Sequence, residues 1–182
     1  MAAAGVHPKP LEELASFSDY CNPLLEFLAA LKSDEGVILF SHSSREFNKQ
    51  LDYMDSQLTF ENGVDKLPTS LLFGPKFLSS QLYLLSPPED LALANLLMRP
   101  VVSYDGTEIE KEMALSKENY GSVPRVYLIC ENDIIIKQRL QNWTIENNPC
   151  DEVKMISGAD HMAMFSKPRE LCSFLQEIAE KY

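Results

Sequence analysis

The sequence predicts an α/β fold: a small, mainly parallel sheet flanked by helices, with a long insertion over one edge. Two observations carry this prediction. Three short segments, Gly36-Val37-Ile38-Leu39-Phe40, Arg125-Val126-Tyr127-Leu128-Ile129-Cys130 and residues 152–156, read as strands buried on both faces, as parallel strands are. Each gives out into a polar loop, and stretches with helical apolar spacing stand before the first and after the last.

Along residues 18–31, Leu24, Phe27, Leu28 and Leu31 recur at i, i+3, i+4 and i+7, which predicts a helix with one buried face. Ser33-Asp34-Glu35-Gly36 ends it. The first strand stops at Ser41-His42-Ser43-Ser44, the second at Glu131-Asn132-Asp133 and the third at Ser157-Gly158-Ala159-Asp160-His161. Between the first and second strands, residues 51–121 lack strand-like alternation. Gly74-Pro75 and Arg99-Pro100 punctuate this block, and Ser86-Pro87-Pro88-Glu89 has the form of a capping box leading into residues 91–98. The block is read as a mostly helical lid over the edge where loops after parallel strands converge and ligands bind. Pro168 opens a last helix with Leu171, Phe174, Leu175, Ile178 and Ala179 on its apolar face. Three strands are few for a sheet and leave an edge to be covered.

The 182 residues suit one domain spanning 1–182, and 45% apolar with 24% charged residues is the composition of a chain that buries a core. A net charge of −11 argues against nucleic acid or an anionic membrane as partner. No stretch has the length and hydropathy of a membrane span, and the start has no signal-peptide pattern, so a cytoplasmic location is expected. Cys21, Cys130, Cys150 and Cys172 lack metal-type spacing and stand on or beside apolar stretches, so buried free thiols are expected, with no metal.

Ser43, Asp133 and His161 follow the three strands in the order of the α/β-hydrolase triad. A hydroxyl becomes a useful nucleophile when an imidazole takes its proton, and the imidazole needs an acceptor to hold its tautomer. Neighbouring strand ends can supply that proximity where sequence spacing cannot. Each residue also has a structural reading: His161 as a satisfied histidine at a strand end, Asp133 as a turn cap, Ser43 as part of a serine-rich turn. His42 is read as packing or exposed, and His7, beside Pro8, as a solvated loop residue.

Longer motifs carry a resemblance. Gly158-Ala159-Asp160-His161-Met162-Ala163-Met164 with Ser166-Lys167-Pro168, Phe73-Gly74-Pro75-Lys76-Phe77-Leu78, Leu85-Ser86-Pro87-Pro88-Glu89-Asp90-Leu91-Ala92-Leu93-Ala94, Tyr120-Gly121-Ser122-Val123 and Leu175-Gln176-Glu177-Ile178-Ala179 resemble the plant methylesterase and hydroxynitrile lyase family of α/β-hydrolases. The resemblance covers residues 5–40 and 51–182. It implies a serine esterase acting on small methyl esters, such as methyl salicylate, methyl jasmonate or methyl indole-3-acetate, without a cofactor. By position, Ser43 is similar to the family's nucleophile, His161 to its general base and Asp133 to its acid. The Ser44 backbone N–H is then an oxyanion donor, and Tyr53, Leu71, Phe73 and Met162 resemble the apolar acyl pocket. Those four have lid packing as their structural reading. Met162 separates the branches, since the lyases carry a lysine after the histidine and the esterases a methionine.

The family pattern breaks in two places. The chain starts beyond the strands and His-Gly loop that supply the other oxyanion donor, the loss of which costs about 10²–10³ in kcat. The Gly-x-Ser-x-Gly elbow becomes Ser41-His42-Ser43-Ser44-Arg45, and residues 45–50 join almost directly to the lid where a helix and strand are expected. An alternative alignment places His42-Ser43-Ser44 in a downstream His-Ser loop. The expectation is therefore an incomplete α/β-hydrolase fold, recognisably an esterase, whose shortened form folds poorly, forms a homodimer through its edges or is inactive. The competing readings are a module that binds a small acid such as salicylate without turnover and, disfavoured by Met162, a hydroxynitrile lyase.

Overall fold

The computed structural model describes residues 1–43, 51–104, 109 and 115–182. The chain divides into two compact units, one of Met1–Gly74 with Leu97–Ala114 and one of Pro75–Leu96 with Leu115–Tyr182.

In the first unit, α1 (Phe17–Ala29) starts where the Ser16 hydroxyl accepts from the Asp19 N–H. Its buried residues are Tyr20 and Cys21, near the N-terminal end, and Phe27 is 56% exposed. The expected stripe from Leu24 to Leu31 is thus displaced one to two turns toward the N-terminus, because the aromatic neighbours lie there. Tyr20, Cys21 and Tyr104 form a small core, lined by Ala4, Leu14 and Phe17, and the Phe17 and Tyr104 rings meet edge to face at 5.1 Å. Three short antiparallel strands, β1 (Gln57–Thr59), β2 (Ser70–Leu72) and β3 (Val101–Val102), pair in the order β1-β2-β3. Runs of two or three residues are too short to display a period-2 pattern, so the sequence did not announce these strands inside a block expected to be mostly helical.

His7 is not a merely solvated residue. Its Nδ1 accepts from the Ala3 and Lys9 backbone N–H groups, while the Arg99 guanidinium donates to the carbonyls of Gly5, His7 and Lys9.

The expected strand at residues 36–40 does not form. Val37, Ile38, Leu39 and Phe40 are 45–63% exposed and join no ladder among the described residues. A strand buried on both faces needs strands beside it for its backbone hydrogen bonds and helices over its faces, and among the described residues no strand pairs with this run.

The second unit contains the parallel pair β4 (Val126–Cys130) and β5 (Glu152–Ile156), in register from Val126 opposite Glu152 to Cys130 opposite Ile156. Between them runs α4 (Gln138–Asn147), the crossover that a parallel connection requires. After β5 come the short α5 (Ala163–Ser166) and then α6 (Pro168–Lys181), with Pro168 in its first turn as expected. Leu171 and Ile178 are buried, and Leu171 joins Ile156, Ala159 and Ala163 in a core flanked by Leu128, Phe174 and Leu175; Ala179 stays exposed. β4 is covered on both faces, with Ile129 buried opposite the face that carries Leu128, whereas β5 is covered on one face only. Val153 and Met155 are 44% and 41% exposed, which corrects the expectation of burial on both faces.

The block ahead of β4 contributes α2 (Pro75–Phe77), a π-helical turn at Leu78–Leu82, and α3 (Pro88–Leu97). The capping box does not close. The helix starts one residue late, so the Asp90 and Leu91 N–H groups donate to the Pro87 carbonyl, and the buried Ser86 hydroxyl has no hydrogen-bond partner among the described residues. Cys21 is buried, Cys130 and Cys150 are half-buried and Cys172 is exposed, so of the four only Cys21 has the expected full burial. Among the described residues, no helix is long and apolar enough to cross a membrane.

Candidate active site

Two adjacent parallel strands deliver their following loops to one edge of the sheet, and the site is built there. Asp133 lies three residues beyond Cys130 and His161 five beyond Ile156, the pair that ends the β4/β5 register. The loops are joined before they diverge. The Glu131 N–H donates to the Ile156 carbonyl, the Asn132 N–H to the Ala159 carbonyl at 2.8 Å, and the Glu131 carboxylate accepts from the Ser157 hydroxyl and the Gly158 N–H. The Gly158 N–H first, then the Ser157 hydroxyl, hold the Glu131 carboxyl below the usual carboxylate range. Gly158 makes its turn at φ +68°, a conformation side chains rarely adopt.

From these loops Asp133 and His161 meet. Asp133 Oδ2 stands 2.8 Å from His161 Nδ1, and both side chains are buried, at 6% and 4% exposure. The other oxygen, Oδ1, accepts from the Ile135 and Ile136 N–H groups at 2.8 and 2.9 Å. Asp133 therefore caps a turn, as its structural reading has it, and also binds the imidazole. Because a carboxylate oxygen can only accept, a neutral imidazole paired with it carries its proton on Nδ1, the tautomer a general base needs.

Gln141 of α4 supports this loop. It is 3% exposed; its Oε1 accepts from the Cys130 N–H, and its Nε2 donates to the carbonyls of Cys130 and Ile136. Asp160, fully buried beside His161, accepts from the Met162 N–H at 3.0 Å and from the Leu85 N–H at 2.7 Å. Neither residue is distinguished by sequence reasoning. A glutamine on a helix that also carries Leu140, Trp143 and Ile145, and an aspartate inside a long motif, carry no local signal of burial. Nearby, Tyr83 stacks on Phe165 at 5.5 Å, and burial, then the Asp90 charge, raises its phenol.

The remaining candidates, Met162 apart, lie in the first unit or outside the described residues. Ser43 is exposed and has φ 63°, in the left-handed region that costs a non-glycine residue energy and recurs at active-site turns. His42 is exposed, as read. Ser44, the expected oxyanion donor, lies outside the described residues. Leu71 is buried in β2 opposite Leu58 and Val101, and Tyr53 and Phe73 are half-buried. Met162 is half-buried in the second unit, directly after the imidazole. The structure thus brings together Asp133 and His161, with Met162 beside them.

No protein-family profile matches the chain. Individual relatives do. Methyl jasmonate esterase 1 of Vitis vinifera is 42% identical over all of this chain and 85% of its own length, and salicylic acid-binding protein 2 of Nicotiana tabacum is 35% identical over the same shares. The Vitis alignment runs over 221 residues against the 182 present here, so the chain is shorter than its relative inside the aligned span. Among solved structures, tomato methylketone synthase I complexed with 2-tridecanone superposes with a TM-score of 0.89 at 36% identity, over 100% of this chain and 85% of that one. Polyneuridine aldehyde esterase gives 0.87 at 30%, over 98% and 86%. With these identities over the whole length and a parallel-strand edge that carries a buried aspartate–histidine pair, the chain belongs to the plant methylesterase family of α/β-hydrolases, in an incomplete version of that fold.

Proposed function

We propose that this chain is a serine carboxylesterase that cleaves small methyl esters, methyl jasmonate, methyl salicylate or methyl indole-3-acetate, with Ser43, His161 and Asp133 as its catalytic groups. The observation that carries the reading is the buried 2.8 Å contact between His161 Nδ1 and Asp133 Oδ2. In this mechanism Ser43 Oγ attacks the ester carbonyl carbon while His161 Nε2 takes its proton. The same proton goes to the departing methoxide, which leaves as methanol. Water, activated by the imidazole, then releases the acid from the acyl-enzyme. Asp133 stabilises the imidazolium, and the Ser44 N–H donates to the oxyanion. Tyr53, Leu71, Phe73 and Met162 receive the apolar acid portion. The positive φ of Ser43 supports its place in a strained elbow. The reading takes residues 1–182 as one hydrolase-like domain with 51–121 as its lid, acting on small molecules in the cytoplasm and forming a homodimer through its edges.

A second reading rests on the run 37–40. Since these residues form no strand, Ser43 lacks the sheet that normally holds a nucleophile, and the protein then binds a small acid without turning over its ester. A fluorophosphonate probe separates the two. Labelling of the wild type that disappears in Ser43→Ala supports the esterase; labelling that persists in that variant refutes Ser43 as nucleophile. Absent labelling, together with calorimetric binding of salicylate, selects the binding module.

A further inference from the structure

Asp160 is an unusual group to find at 0% exposure: a carboxylate whose two oxygens are both spent on backbone N–H groups. Burying a carboxylate is costly, and charge-assisted hydrogen bonds are what offset it. The two donors belong to different parts of the second unit. Oδ1 holds the Met162 N–H, the amide directly after His161, and so closes the turn that carries the imidazole. Oδ2 holds the Leu85 N–H, between the π-helical turn and α3. Tyr83, two residues earlier, is buried and stacks on Phe165, whereas Leu84 and Leu85 are each 46% exposed, so at Leu85 itself it is the hydrogen bond to Asp160 that ties the stem to the turn. The turn is braced further where the Asp160 N–H donates to the Ser166 hydroxyl, which itself donates to the Met162 carbonyl.

We infer that Asp160 is a positioning residue: it ties the Leu85 stem of the lid to the turn bearing His161, so that stem and imidazole keep one relative arrangement. Its consequence for catalysis rests on the esterase reading; the tie itself does not. In Asp160→Asn one oxygen remains and an NH2 replaces the other, so one of the two N–H groups faces a donor and its bond is lost.

The test compares wild type, Asp160→Asn and Asp133→Asn, each as the full chain. Amide hydrogen exchange is expected to quicken about 10- to 100-fold at Leu85, Met162 or both in Asp160→Asn, the worth of a hydrogen bond to a charged group. The amides of Ile129 and Ile156 are expected to keep their protection, and Asp133→Asn to leave the Leu85 amide as in the wild type. In the folded Asp160→Asn protein the His161 imidazole proton resonance is expected to broaden or move, which a loss of global stability alone does not produce. Where the wild type hydrolyses methyl esters, the loss in Asp160→Asn falls on kcat, about 10-fold or more, with KM within about 3-fold. Unchanged exchange at both Leu85 and Met162, an unmoved imidazole resonance, or a loss confined to KM overturns the inference. A wild type without esterase activity refutes the esterase reading instead, and the exchange and resonance measurements then decide the tie by themselves.

Discussion

Replacing Asp133 with asparagine tests the site at its most constrained point. Oδ1 of Asp133 accepts two backbone N–H groups, from Ile135 and Ile136, while Oδ2 faces His161 Nδ1. Asparagine has one acceptor oxygen. Placed toward the histidine, it would leave its NH2 against two N–H donors; placed toward the turn, it keeps both of those bonds. The turn therefore claims the oxygen and the NH2 faces Nδ1. Nδ1 must then accept, the proton moves to Nε2, and the imidazole can no longer take a proton from a serine. Where a triad aspartate is so replaced, kcat falls about 10⁴-fold, and a loss of 10³–10⁴ corresponds to about 4–5.5 kcal/mol in the barrier. Folding suffers far less, about 1–2 kcal/mol, since every bond keeps a partner and only its charge assistance is lost. The assays are methyl ester hydrolysis, urea unfolding and the imidazole ¹⁵N shifts, which report the tautomer whether or not the protein turns over. Wild-type hydrolysis in Asp133→Asn, or an imidazole that keeps its proton on Nδ1, would refute the reasoning.

Three further outcomes follow from individual contacts. Gln141→Leu removes the side-chain partners of the Cys130 N–H and the Ile136 carbonyl and leaves the Cys130 carbonyl with the Asp133 N–H, and is expected to cost about 3 kcal/mol in urea unfolding; a cost under about 1 kcal/mol would mean that water replaces the side chain. Burial, then the Asp133 and Asp160 charges, push the Cys130 thiol up to about 11, so at pH 8 exposed Cys172 should react with a disulfide reagent well before Cys130; equal rates would contradict the burial of the β4 end. Hydrogen bonds from Lys181, then Lys154, hold the Glu152 carboxyl below its ordinary value of 4.5. A lowered folded-state value means that the unfolded chain takes up the proton first, so this stabilisation is present above about pH 4.5 and is lost as pH falls through the folded value. The difference in melting temperature between wild type and Glu152→Gln should accordingly shrink as pH drops from 6 to 3, and a constant difference would show that the ion pairs contribute nothing.

The pairing of Asp133 with His161 was legible because it depends on a rule of topology rather than on side-chain detail. Two apolar runs separated by a helix make adjacent parallel strands, and the loops that follow such strands emerge together. The last helix was legible for a comparable reason: Leu171, Phe174, Leu175 and Ile178 recur at helical spacing, and in the structure all four lie against or within the buried side. The Gly36–Phe40 run shows the opposite case. Its hydrophobicity is plain in the sequence, but whether it becomes a strand depends on partners supplied from elsewhere, and here it stays exposed. The closed capping box failed for a smaller reason of the same kind, a helix start shifted by one residue.

What the sequence determined by itself was the chemistry available at each strand end and the apolar face of each long element, because both are local properties of residue type and spacing. What the tertiary structure decided was which polar groups were buried and whom they serve. Asp160 and Gln141 became buried acceptors and donors only when distant backbone groups, at Leu85 and Cys130, arrived beside them. Burial of a polar atom is a property of the assembled surroundings, and no pattern along the chain encodes it.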